Sequence, residues 1–170
     1  WQLEARRKDA GLSADSAWSS ADLDDGNWTS FAIPGTLNKN TSGFKSGVVW
    51  LRREILLTEA QATVAQAKLQ LGLLVDSDET FINGHLVGST ASRYMPRKYE
   101  LPAGVLRPGR YVISVRLQVK RSNGGAIKGE MYQLAMGQDV LDLKGNWKLN
   151  VGARMPSYQQ PERLETKPTG

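Results

Sequence analysis

Apolar and polar residues alternate through three long stretches of the chain. In "VVWLRREILL" Val49, Leu51, Ile55 and Leu57 fall on one face and Trp50, Arg52 and Glu54 on the other, the period of a strand with one buried side. "AKLQLGLLV" repeats the pattern with Ala67, Leu69, Leu71, Leu73 and Val75 inward. "YVISVRLQVK" does so with Tyr111, Ile113, Val115, Leu117 and Val119 inward and Ser114, Arg116, Gln118 and Lys120 outward. Alternation this regular predicts antiparallel sheets with one face on a core and the other in water, because parallel strands are covered on both faces and read as continuous apolar runs. Shorter strands are predicted at "TFIN", "HLVG", "MYQLAM" and "NWKLNVG", set apart by Gly, Pro and Asn at the spacing of an all-β sandwich.

Two stretches have helical character. "WQLEARRKDA" reads as the closing turns of a helix, and "TEAQATVAQA" opens with Thr58 and Gln61 at capping-box spacing, enough for one or two turns. The tail "MPSYQQPERLETKPTG" has three prolines and no alternation, and reads as an extended linker. These signals divide the chain into a helical piece over 1–14, a sandwich over 15–153 and a Pro-rich segment over 154–170. In "DSDETFINGHLVG", residues 76–88, Asn83-Gly84 between two β-like runs predicts a type I′ hairpin, whose central residues both need positive φ. Asp76, Ser77 and Asp78 follow the run ending at Val75, where short polar side chains form Asx-turns. The same acids also suit paired carboxylates for glycoside hydrolysis or oxygen ligands for a structural Ca²⁺, and only geometry separates these readings.

Composition bounds the class. A chain of 170 residues is of one-domain length, and a domain of this size buries roughly 70% of its unfolded surface. There is no cysteine, so a disulfide-stapled scaffold and a thiolate metal site are excluded. No apolar run approaches the roughly 20 residues that cross a bilayer, and a membrane is not an expected partner. The missing starting Met and the absence of an apolar targeting segment read as a piece of a longer chain. The net charge of +5 is unevenly spread. Residues 9–25 hold Asp9, Asp15, Asp22, Asp24 and Asp25 with no basic residue. Over 93–121 the bias reverses, with Arg93, Arg97, Lys98, Arg107, Arg110, Arg116, Lys120 and Arg121 against Glu100 alone. These cations are scattered over loops and strand positions without an RNA-binding aromatic pattern or a recognition helix, so they read first as a solvated strand face and second as a site for an acidic glycan, and nucleic acid is not expected.

An ordered series of short motifs carries a family resemblance. "DDGNW" (24–28), Pro34, "GVVWLRREI" (47–55), "LGLLVDSDETFINGHLVG" (71–88), "RKYELPAGVLRPGRYVISVRL" (97–117), Gly124-Gly125 and "LKGNWKLNVG" (143–152) together resemble the β-sandwich inserted in sialate O-acetylesterase-type proteins. That module is galactose-binding-like and is also similar to the sugar-binding domain of family 2 glycoside hydrolases. The resemblance runs through nearly the whole chain, and the closing "LKGNWKLNVG" favours the esterase. It implies an all-β, antiparallel jelly-roll sandwich with a short N-terminal helical segment. It also implies that 1–14 ends a helix of a flanking SGNH-type hydrolase domain and that 154–170 returns to that domain. Two departures stand out: Arg110 and Tyr111 where the family has Asn after the Pro-Gly turn, and a long "TEAQATVAQA" connection.

The sequence holds no catalytic set of its own. A serine esterase needs a nucleophile on a strained turn, a His base and an orienting acid. The chain has no G-x-S-x-G, no Gly-Asp-Ser block and no Asp-x-x-His segment, and its one histidine, His85, follows the hairpin turn. No catalytic residue, no metal ligand set and no cofactor are therefore assigned. The carbohydrate-contacting candidates are Trp50 and Arg52 on the polar face of the first long strand, and Asp78, Asn83, Arg97 and Tyr99 near loop ends, because flat rings stack on sugars while Asp, Asn and Arg bond hydroxyls. Trp28 and Trp147 are expected to seal sandwich edges. The functional expectation is a non-catalytic accessory domain of an esterase that removes O-acetyl groups from sialic acid or related glycans. Its partners would be the hydrolase domain and an O-acetylated or acidic glycan, in the periplasm or outside the cell. A carbohydrate-binding module, the leading domain of a family 2 glycosidase, or a structural spacer are the alternatives.

Overall fold

The computed structural model describes residues 1–13, 17–37, 41 and 43–160; Asp15 and the last ten residues of the expected linker lie outside them. A helix α1 (Gln2–Lys8) and a 3₁₀ turn (Ala10–Leu12) come before the first strand. The strands are β1 (Thr29–Ile33), β2 (Gly35–Thr36), β3 (Gly47–Leu57), β4 (Ala67–Leu71), β5 (Leu74–Val75), β6 (Ser77–Ile82), β7 (His85–Thr90), β8 (Lys98–Leu101), β9 (Gly109–Val119), β10 (Gly125–Ala126), β11 (Tyr132–Met136), β12 (Asp139–Asp142) and β13 (Gly145–Arg154). A short helix α2 (Glu59–Ala62) links β3 to β4. The strands form a six-stranded sheet in the order β1-β13-β3-β9-β6-β7, a four-stranded sheet β12-β11-β4-β8 and a small sheet β2-β10-β5. Neighbours pair antiparallel throughout.

The two 11-residue strands β3 and β9 pair along their whole length, from Gly47 opposite Val119 to Leu57 opposite Gly109. This register puts Val49 beside Leu117 and Leu51 beside Val115, so the alternating apolar positions make one continuous stripe. They pack with Leu69, Leu71, Leu101, Leu134 and Met136 of the four-stranded sheet in a single core. The architecture is the expected all-β jelly-roll sandwich, with Leu51, Leu71, Ile113 and Val115 all buried in its core. Asn83 and Gly84 have φ of +47° and +84° between the paired Ile82 and His85, as a type I′ turn requires. Thr58 and Gln61 close a reciprocal capping box at α2.

The expected wet face is not wet. Trp50, Arg52, Ser114, Arg116 and Gln118 point away from the main core yet are buried. The cover is the chain before β1. Ala5 of α1 packs with Val48, Trp50, Ala153 and Met155, and Trp1, Leu12, Trp18, Trp28 and Phe81 surround them as a second apolar cluster. Trp50 stacks on Phe81 at 5.8 Å, and Trp18 meets Trp50 and Trp28 edge-on at 6.3 and 5.0 Å, arrangements favoured by the ring quadrupole. Gly152 lets this layer close, because a Cβ there would stand 2.3 Å from Asp9 Oδ1 and 3.0 Å from the Trp50 ring.

Other local expectations change for identifiable reasons. "AKLQLGLLV" is two strands, since Gly72 (φ +52°) turns the chain and sends β5 to pair with β10 in another sheet. Leu74 rather than Leu73 is buried as a result. Trp147 is not at an edge: β13 runs between β1 and β3, and the indole is buried, donating to Leu143 O at 2.8 Å. Trp28 is half-buried immediately before β1, which is an edge strand. The start of the expected linker lies against the sandwich, with Met155 N donating to Ser46 O and Tyr158 N to Lys120 O.

Leu71→Ala should lower unfolding stability by about 2–5 kcal/mol, while Ala at Lys68, exposed on the same strand, should leave the denaturant midpoint nearly unchanged. An unaltered midpoint in Leu71→Ala would mean that the four-stranded sheet does not share the core.

Candidate functional site

The six carbohydrate-contacting candidates fall in three separate places. Asp78, Arg97 and Tyr99 meet inside the sandwich, where β6 of the large sheet faces β8. Arg97 donates from Nε to Asp78 Oδ1 at 2.6 Å, with both side chains fully buried. The other Asp78 oxygen accepts from Tyr99 Oη and Thr80 Oγ1, each at 2.7 Å. The remaining guanidinium nitrogens hold loop carbonyls: Nη1 donates to Ser92 O and Met95 O, and Nη2 to Asp76 O. This is a closed network of the kind a buried charge requires. It clamps the β5–β6 and β7–β8 connections and leaves the Asp78 carboxylate no face toward solvent.

Asp76, Ser77 and Asp78 therefore do not act as Asx-turn residues. Ser77 and Asp78 belong to β6, and Asp76 Oδ2 accepts from the distant Lys120 N at 2.8 Å. Among the described residues no group of three or more His, Cys, Asp or Glu side chains is placed to hold a metal ion. With Asp78 committed to Arg97, the oxygen ligands considered for Ca²⁺ are not gathered at one point.

Trp50 and Arg52 form the second place, on the outer face of the large sheet beneath the N-terminal segment. Trp50 is 1% exposed and donates from Nε1 to both oxygens of Asp9, at 3.0 and 3.2 Å. Arg52 donates to Asp25 Oδ2 (2.9 Å), Trp18 O (2.7 Å), Ser20 O (2.8 Å) and Ser114 Oγ (3.2 Å), and its charge lies 5.8 Å from the Trp28 ring. Neither side chain presents a surface to a sugar in this structure. Asn83 is the third place, and its Oδ1 accepts from Val112 N at 2.8 Å, fixing the hairpin to the start of β9.

Beside that hairpin lies a cavity of about 660 Å³. Leu86, Val87, Leu101 and Val105 give it an apolar lining, with His85, Glu100 and Arg107 among its polar groups. Tyr111 also lines it, but the hydroxyl accepts from Arg107 N. The lining contains no Ser, Thr or Cys nucleophile and one carboxylate. Acyl transfer needs the first and glycoside hydrolysis a pair of the second. The cavity can hold a ligand but does not assemble either reaction. Sequence reasoning placed His85 after the turn and did not foresee the cavity, because Glu100 and Arg107 reach it from a different part of the chain. A second hollow, at the opposite end of β9, is lined by Arg93, Lys120, Arg121 and two tyrosines.

No protein-family model matches the chain, and no curated protein matches it in sequence. Solved structures do share its fold. A β-glucuronidase of glycoside hydrolase family 2 superposes with a TM-score of 0.53 at 16% identity, covering 63% of this chain and 12% of that one. Bifidobacterium dentium β-glucuronidase, complexed with coumarin-3-O-glucuronide, gives 0.52 at 17% identity over 59% of this chain and 16% of its own. A calcium-binding mutant of Bacteroides uniformis β-glucuronidase 2 gives 0.53 at 21% identity, over 77% and 15%. This chain therefore spans less than a fifth of the length of these enzymes, and the likeness is one of fold. The class so defined is a β-sandwich like one that occurs within family 2 glycosidases.

Two measurements check the buried polar groups: the Asp78–Arg97 network, and the separate hydroxyl of Tyr132, which donates to Ile127 O at 2.7 Å. Asp78→Asn, which leaves the Arg97 charge unmatched, should cost about 3–5 kcal/mol of stability. Burial raises the Tyr132 hydroxyl to about 12, and burial together with the Asp78 carboxylate raises Tyr99 further. Both shifts are upward from 10, so these tyrosines stabilise the fold fully below pH 10. That contribution is lost as pH rises, since the unfolded chain ionises first. Urea midpoints should fall above pH 10, and fall less steeply in Tyr132→Phe; equal slopes would place the hydroxyl in water.

Proposed function

We propose that this chain is a non-catalytic, carbohydrate-associated β-sandwich module of a larger hydrolase, of the sugar-binding type found in family 2 glycosidases. The observation that carries the reading is the fold likeness to segments of β-glucuronidases, each many times longer than the segment matched. The ligand class follows from charge. One of those enzymes is complexed with a glucuronide, and an acidic sugar suits the cations Arg93, Lys120 and Arg121 that gather around one hollow. Catalysis belongs to another domain of the parent protein, and the module acts outside the cytoplasm, where such glycans are met.

A second reading is the accessory domain of a sialate O-acetylesterase, joined to an SGNH-type hydrolase domain. The ordered motif series closing in "LKGNWKLNVG" favours it. The flanking coding sequence separates the two: a (β/α)₈ pattern after Gly170 supports the glycosidase, while a Gly-Asp-Ser block upstream with an Asp-x-x-His segment downstream supports the esterase.

Under either reading the isolated chain should hydrolyse neither an aryl glucuronide nor an activated acetyl ester above the buffer rate, since nucleophile, base and oxyanion donors must lie within hydrogen-bond reach of one another. Turnover that disappears in His85→Ala would show that the hairpin cavity is an active site and overturn the accessory role.

A further inference from the structure

Arg93, Lys120 and Arg121 converge at the end of the sandwich away from the Asn83-Gly84 hairpin, around a cavity of about 330 Å³. Asp76 is the one acidic lining residue, and it is already engaged. Its Oδ2 accepts from Lys120 N at 2.8 Å, and its Oδ1 stands 3.6 Å from Arg93 Nε. The Arg93 side chain is 41% exposed, so this pair is long and solvent-screened, and an incoming anion can displace it. Two aromatic rings complete the walls. Tyr94 is 81% exposed, with its ring open to a ligand. Tyr158 lies beneath Lys120 Nζ, 5.4 Å from the ring centroid. A second hollow of about 360 Å³, lined by Trp1 and Leu3, shares Lys120 and Tyr158 with the first, so the trough continues past a single ligand ring.

We infer that this trough binds a sugar carrying a carboxylate, with Arg93 and Arg121 as the anion clamp, Lys120 as the central charge and Tyr94 and Tyr158 as stacking faces. The sugar rests on the proposed carbohydrate role, and the carboxylate rests on the cavity itself. A guanidinium matches a planar carboxylate through paired N–H donors, and an amphipathic Tyr ring suits the alternating C–H and O–H surface of a pyranose. The volume suits a small ligand of this kind, at the low end of ordinary ligand sites. Nucleic acid is disfavoured because three cations in one pocket do not form the extended stripe that follows a phosphate backbone. Hexuronates and sialic acids share the recognised chemistry and differ in the bulk around the carboxylate.

The test follows amide chemical shifts of the whole chain during titration with methyl glucuronide, N-acetylneuraminic acid, methyl glucoside, inorganic phosphate and a short single-stranded oligonucleotide. At least one of the two acidic sugars should shift residues around Arg93, Lys120 and Tyr158 with millimolar affinity, and the stronger of them identifies the sugar class. Raising the salt should weaken that binding, because exposed charges are screened within about 8 Å at physiological ionic strength. The double substitution Arg93→Gln with Arg121→Gln should reduce affinity about tenfold, as loss of a charge-assisted clamp does, and leave the thermal midpoint unchanged. Tyr94→Ala should weaken binding of the acidic sugar and spare binding of phosphate. Equal binding of methyl glucoside, or shifts confined to the His85 cavity, would overturn the trough while leaving a carbohydrate role in place. Tighter binding of phosphate or the oligonucleotide would overturn the sugar assignment, and no response to any sugar would overturn both the trough and the carbohydrate role.

Discussion

Arg116 lies midway along β9, opposite Trp50 in the register, with its side chain fully buried. A guanidinium cannot lose its proton to escape such a position, so the protein must bring anions to it. Glu79, directly opposite on β6, accepts from Nη1 at 2.8 Å. Asp9 accepts from Nε at 2.6 Å and comes from the segment before the first strand. One fixed charge in the sheet therefore dictates where that segment goes. Asp9 also accepts from Trp50 Nε1 and Gly11 N, so the ion pair and the indole layer form as one unit. Arg52 repeats the logic one strand away, taking Asp25 and the carbonyls of Trp18 and Ser20. Buried pairs of this kind add little net stability, but leaving one partner unmatched is expensive. They act as registration devices, while the Trp18, Trp28 and Phe81 contacts supply the burial.

The same pairing sorts the cations by role. Arg52, Arg97 and Arg116 are interior, each held by a carboxylate and, for Arg52 and Arg97, by backbone carbonyls as well. Arg93 and Arg121 remain at the surface, near Lys120. The positive bias of residues 93–121 thus has two origins. Part of it is interior, Arg116 meeting Asp9 across the buried face and Arg97 meeting Asp78 inside the sandwich, and part is peripheral, with Arg93, Lys120 and Arg121 around the hollow at one end and Arg107 in the lining of the cavity at the other. A count of charges along the chain merges these two populations, and only the fold separates them.

That division explains what could be read from the sequence. The core stripe was legible because apolar residues at period two have one meaning on β3 and β9. The capping box at Thr58 and the turn at Asn83 were legible because both are local. The outer face was not, since Ser114, Arg116 and Gln118 look the same in sequence whether they meet water or a covering segment. The signal that could have exposed it was the run of aspartates over 9–25, two of which, Asp9 and Asp25, meet Arg116 and Arg52 beneath the covering segment. The site candidates failed to converge for a related reason. Trp, Arg, Asp and Tyr are the residues of sugar recognition, but they are also the residues of satisfied buried networks, and Trp50, Arg52, Asp78, Arg97 and Tyr99 are used in that second way.

A sandwich built like this separates the work of folding from the work of binding. Its core asks only for apolar residues at alternate positions and compatible volumes, which is how a chain can share its fold with β-glucuronidase segments at 16–21% identity. Fold alone therefore says little about ligand. Most polar side chains inside the sandwich and beneath the N-terminal layer engage one another, Ser77 Oγ, Arg116 Nη2 and Gln118 Oε1 being exceptions, and both ends of the sandwich carry hollows with charged linings. One end has His85 with Glu100 and an apolar lining; the other has three cations beside the exposed Tyr94 and the half-buried Tyr158. The Asp78–Arg97 clamp stiffens the second end from within, because Arg97 holds Ser92 O, Met95 O and Asp76 O while Arg93, Tyr94 and Asp76 line the trough. A binding loop braced from inside loses less conformational freedom when a ligand arrives, and the buried network thereby serves the surface it does not reach.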